Sequence, residues 1–107
     1  MADVKFKFEE VFTFKETVTV ITPGGVQQTF TAEFLYLDDK AIEEFVKLPN
    51  ADGLRQVWKG WDGIVGPDDQ PLPFSEPQRE LFLGHAYITN AVLFSYLRGR
   101  QGLLAKN

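Results

Sequence analysis

Apolar residues fall on alternate positions through the first third of the chain. From Val4 the even positions read Val4, Phe6, Phe8, Phe12, Phe14, Val18 and Val20, and the odd positions between them are mainly lysine, glutamate and threonine. Period two marks half-buried strands, whose side chains point to the two faces in turn. Glu10-Val11 breaks the phase and Lys15-Glu16 is a polar pair, so a bulge or turn is expected near one of them. Thr22-Pro23-Gly24-Gly25 reads as a tight reversal, because proline presets φ and glycine supplies positive φ. The alternation resumes with Val26, Phe30, Ala32, Phe34 and Tyr36 on one face and Gln27, Thr29, Thr31 and Glu33 on the other. The pattern predicts three or four antiparallel strands within residues 1–37, with one apolar face that needs cover.

The spacing changes at Asp38-Asp39. Either aspartate can cap a helix, where free backbone N–H groups and the helix dipole favour a carboxylate. Ala41, Ile42, Phe45, Val46 and Leu48 follow at helical spacing, and Pro49-Asn50 ends the run. A second short helix from about Asp52 puts Leu54, Val57, Trp58 and Trp61 on one stripe. Residues 62–74 concentrate glycine and proline and read as irregular, with a turn at Pro67-Asp68-Asp69-Gln70. Ser75-Glu76-Pro77-Gln78 fits a capping box. It opens a helical segment to Arg98, with a break at Gly84-His85. Apolar residues on that segment cover far more than one stripe, so it is central to the fold or packed against another chain. Gly99 reads as its C-terminal cap, with Leu103 to Asn107 frayed. The expected class is α+β: an N-terminal antiparallel sheet of three or four strands packed by three or four C-terminal helices. One domain is expected over residues 1–107, with strands in 1–37 and helices in 38–100 around the irregular 62–74 region.

Composition narrows the function classes. The chain has 107 residues, 44% of them hydrophobic and 24% charged, enough for a core without covalent staples. It has no cysteine, which removes disulfides and cysteine zinc sites and fits a reducing, cytoplasmic setting. The net charge of −4 disfavours phosphate backbones as partners. Acids gather in residues 38–83, whereas residues 84–107 hold Arg98, Arg100 and Lys106 and no acid. No stretch approaches the roughly 20 apolar residues of a membrane helix, and Met1-Ala2-Asp3-Val4-Lys5 begins no secretory leader. Ten Phe, two Trp and three Tyr stand against a single histidine, so there is much to pack and little for acid–base chemistry.

Candidate chemistry is correspondingly thin. His85 would need a hydroxyl brought near it, and Ser75, Ser95 and Thr89 are the nearest in sequence; no strained elbow accompanies them. Asp62, Asp68 and Asp69 do not fit a calcium loop, because Ile64 and Gly66 occupy ligand positions. Gly60, Gly63 and Gly66 lack the lysine and hydroxyl of a phosphate loop. No cofactor or metal is expected. Trp58 and Trp61 have two readings, as core anchors beneath the sheet or as anchors in a partner's pocket.

The run from Trp58 through Trp61-Asp62-Gly63-Ile64-Val65 and Pro71-Leu72-Pro73-Phe74-Ser75 resembles a pattern in tail assembly chaperones of long-tailed phages and prophages. Trp61, Gly63, Val65, Asp68, Pro71, Pro73, Phe74 and Ser75 carry the likeness, which extends over roughly residues 37–98. Gln70 departs from it, standing where a glycine commonly precedes the first proline.

The resemblance implies a non-enzymatic assembly factor in the host cytoplasm. It would bind the tape-measure protein, help tail-tube protein assemble, self-associate, and contact neither nucleic acid nor membrane. Protein-binding candidates are Trp58, Trp61, Phe74, Phe82, Leu93, Tyr96 and Leu97. Two alternatives stand beside it. One is a phage tail structural or completion protein that stays in the virion; the other is a small enzyme or ligand-binding domain using a carboxylate and His85.

Overall fold

The computed structural model describes residues 4–105. Residues 1–3 and 106–107 lie outside them; residues 103–105 of the end expected to fray are helical instead, as the last turn of a 20-residue helix. The class is α+β, with three antiparallel strands and four helices among the described residues. Two strands come from the alternating region: β1 (Thr13–Ile21) and β2 (Gln27–Leu35). They pair in unbroken register from Thr13↔Leu35 to Ile21↔Gln27. The Thr22–Gly25 reversal joins them as expected: Gly25 N–H donates to the Thr22 carbonyl at 2.8 Å, and Gly25 has a φ of 81°. Even-numbered residues face inward, with Val18, Ala32 and Phe34 fully buried.

The third strand overturns an expectation. Residues 50–57 form a helix, but the stripe does not continue on it through Trp61. The chain leaves α2 (Asn50–Val57) and enters β3 (Trp58–Asp62), which pairs with β2 to give the order β1-β2-β3. Trp58 lies opposite Phe34, Gly60 opposite Glu33 and Trp61 opposite Ala32, leaving Lys59 as an extra residue. That β-bulge puts Trp58 and Trp61, three residues apart, on the same face of the sheet. A bulged strand thus reproduces the spacing of a helical stripe. Conversely, Val4 to Phe8 alternates but forms no strand: Val4, Phe6 and Phe8 are 94%, 86% and 73% exposed. The phase break at Glu10-Val11 is a bend between this arm and β1.

The helices close the inner face. α1 (Asp39–Phe45) is capped by Asp38, whose carboxylate accepts the Ala41 N–H at 2.8 Å. α3 (Glu76–Leu83) is capped by Ser75 through the Gln78 N–H, and it ends at Gly84, the expected break. α4 (Ala86–Ala105) lies across β1 and runs through Gly99, so Gly99 is not its cap. A Cβ at Gly99 would sit 2.8 Å from Glu16 Cγ; glycine is there to let helix and strand approach. Tyr96 is the centre of the core. Its ring packs against Phe14, Phe34 and Phe45, and its hydroxyl donates to the Leu35 carbonyl at 3.0 Å. Ser95 Oγ donates to the Thr17 carbonyl and Arg100 Nε to the Leu37 carbonyl, so α4 is tied to β1, to β2 and to the segment that follows β2.

Candidate protein-binding surface

The motif region is a stapled loop. Beyond β3, Gly63 adopts a φ of 87°, where a side chain would be strained. Val65 then bridges Pro71, and Leu72 N–H donates to the Ile64 carbonyl at 2.9 Å. Between them lies a tight turn in which Asp69 N–H donates to the Gly66 carbonyl and Asp68 accepts the Gln70 N–H. Trp61 closes the loop from below, donating its indole N–H to the Leu72 carbonyl at 2.7 Å. Phe74 meets the Trp61 ring edge-on at 4.8 Å, and Ser75 starts α3. Pro73 is exposed. Apart from Pro73, each motif residue has a bond, a packing contact or a backbone conformation to supply.

Arg79 was not singled out from the sequence, and it holds this region to α2. Its guanidinium is almost fully buried and donates to the carbonyls of Trp58 at 2.9 Å and Arg55 at 3.2 Å. These carbonyls are at the C-terminal end of α2, where unpaired oxygens and the helix dipole attract a cation. Phe74 offers its ring face 5.9 Å away. Nothing in the local spacing distinguishes this arginine from a solvated one on α3.

Two apolar surfaces stand open beside the sheet and helices of the described residues. A groove of about 560 Å³ lies between the hairpin end, the stapled loop and the α3–α4 junction, lined in part by Val20, Phe30, Ile64, Val65, Phe82 and Ile88. The second is a shallow patch on the outer side of α4, formed by Phe94, Leu97, Arg98, Gln101 and Gly102. Phe94 is 65% exposed and Leu97 39%, and Tyr87 precedes Phe94 by two turns on the same side.

The seven candidates divide accordingly. Trp58 and Tyr96 have no exposed surface; for Trp58 this selects the core-anchor reading, and neither ring is available to a partner. Trp61, Phe74, Phe82 and Leu93 are half-buried, with Phe82 in the groove. Leu97 is on the α4 patch. Phe94, one of the apolar residues by which this segment exceeds a single stripe, stands exposed beside it. His85 is exposed beside Tyr87, and the hydroxyls nearest it in sequence bond to backbone: Thr89 and Ser95 donate to carbonyls, and Ser75 accepts an N–H. Among the described residues no group of three or more acids and histidine could hold a metal, and no helix is long and apolar enough to cross a membrane.

Compared with protein-family models, with curated proteins and with solved structures, the chain matches none.

Proposed function

We propose that this chain is a non-enzymatic tail assembly chaperone of a long-tailed phage or prophage, working in the cytoplasm of the host bacterium. It holds helices of the tape-measure protein while tail-tube protein assembles, and it leaves before the tail is finished. The observation that carries this reading is the open apolar side of α4, where Phe94 and Leu97 stand exposed on the longest helix. An amphipathic helix can lay its apolar stripe on such a surface, with anchors one and two turns apart. The motif from Trp61 to Ser75 adds the family likeness, and its stapled loop gives that motif a physical purpose.

Binding of tape-measure segments to the wild type and to Leu97→Asp tests the reading. At least a tenfold loss of affinity is expected, because an aspartate must be desolvated against the partner. Circular dichroism confirms that the variant folds, and Phe94→Asp serves as its replacement if it does not. Unchanged binding in a folded variant overturns the reading. So does finding the protein in purified tails by mass spectrometry.

A further inference from the structure

The arm formed by residues 4–11 is exposed throughout, and among the described residues its ion pair and ring contact stay within the arm itself. Val4, Phe6 and Phe8 project into solvent, and the Phe6 and Phe8 rings lie 6.3 Å apart on the same side. Alternation of this kind describes a strand with a face to bury. The radius of gyration, 15.4 Å against about 13 Å for a compact chain of this length, is that of a molecule with projecting segments.

We propose that the arm docks in the groove beside the stapled loop of a second copy of this chain. Phe6 and Phe8 enter between Val20, Phe30, Val65 and Phe82. Three observations select this occupant. The first is reach. The arm leaves the sheet where Phe12 stacks on Tyr36, at the far end of β1 from the hairpin. Phe8 precedes Thr13 by five residues, at most about 18 Å of chain. The groove begins at Val20, seven residues along β1, about 23 Å away. Phe6 could span that distance only fully taut, with no chain left for the reversal and with α4 lying across β1.

The second observation is charge. The lysines of the arm, Lys5 and Lys7, lie in its outer part beside Phe6 and Phe8, and its acids, Glu9 (3.8 Å from Lys7) and Glu10, lie nearer β1. The loop lining the groove carries Asp62, Asp68 and Asp69 and no basic residue, and all three are exposed. With apolar residues turned into the groove, Lys5 and Lys7 stay on the solvent side of the arm, and their charge complements the acidic loop that forms one wall. The third is size. A groove of about 560 Å³ is in the range that encloses a small set of side chains. Two phenylalanines and a valine give an interface at the small end of specific ones, so reversible association is expected. The proposal stands independently of the tape-measure reading.

Sedimentation velocity from about 10 μM to about 1 mM tests it. The wild type should grow in mass with concentration. Phe6→Asp combined with Phe8→Asp should remain monomeric, as should Val65→Asp, with Ile64→Asp as the alternative groove variant if Val65→Asp does not fold. Mixing the arm variant with the groove variant decides the geometry. One retains a groove and the other an arm, so the mixture should form a dimer that neither forms alone. A wild type monomeric throughout, an arm variant that associates normally, or a mixture without dimer would each overturn the proposal.

Discussion

Trp61 and Leu72 are joined by an indole-to-carbonyl hydrogen bond of 2.7 Å that spans the whole motif loop. The same ring receives Phe74 at 4.8 Å and Phe82 at 5.1 Å between centroids. One half-buried side chain is therefore both the tie of the loop and the floor on which α3 begins.

Replacing Trp61 by phenylalanine keeps an aromatic surface and removes the donor. The Leu72 carbonyl then loses its side-chain partner, and a stability loss of about 1–2 kcal/mol is expected in denaturant unfolding. Amide exchange should quicken at Gly66, Asp69 and Leu72 and stay slow in β1 and β2. Uniformly faster exchange would show that the bond supports the whole fold and not the loop.

Gly53 opposes two rules. In the middle of α2, alanine is favoured over glycine by about 1 kcal/mol. Yet a Cβ there would lie 2.8 Å from Phe45 Cε2, and Phe45 is buried with Tyr96 on its other side. Packing should win, because the ring cannot withdraw without displacing the core. Gly53→Ala is expected to destabilise by about 1–3 kcal/mol, measured by thermal or urea unfolding. A more stable variant would mean that α1 shifts freely on α2.

Burial pushes the Tyr96 hydroxyl from its ordinary pKa of 10.0 up to about 12. The protonated form is thus favoured in the folded state. Its contribution to stability is complete below pH 10 and is lost as the pH rises from 10 toward 12, since the unfolded chain releases the proton first. The measurement is the difference between wild type and Tyr96→Phe, which cancels what the rest of the chain contributes. The gap between the two should narrow across that window. A constant gap would mean that the hydroxyl is solvated in the folded protein.

The hairpin, both aspartate and serine caps and the break at Gly84 were legible because each rests on chemistry within a few residues. The third strand was not. Leu54, Val57, Trp58 and Trp61 have helical spacing, and only the pairing of Trp58 with Phe34 and Trp61 with Ala32 shows that half of the stripe belongs to a bulged strand. Gly99 failed for a related reason: a glycine late in a helix reads as a stop, while its purpose is contact with Glu16 from β1. The arm was legible as an alternating segment, but alternation says that a face needs cover without saying which chain supplies it. At the surface, an apolar run located the crowded helix, while the docking of α4 alone determined that Tyr96 went inside and Phe94 outside.

The unmatched residue at Lys59 changes the parity of β3. Every position after it is displaced by one count, so Trp61, the loop tied to it and the start of α3 all lie on the helical side of the sheet because of a single unpaired residue. A length change in this strand is therefore a change of side, whereas one in the turn from Gly66 to Gln70 alters only how far the loop extends. The two neighbouring segments should tolerate insertion and deletion very differently, and the boundary between tolerance and collapse runs through Asp62.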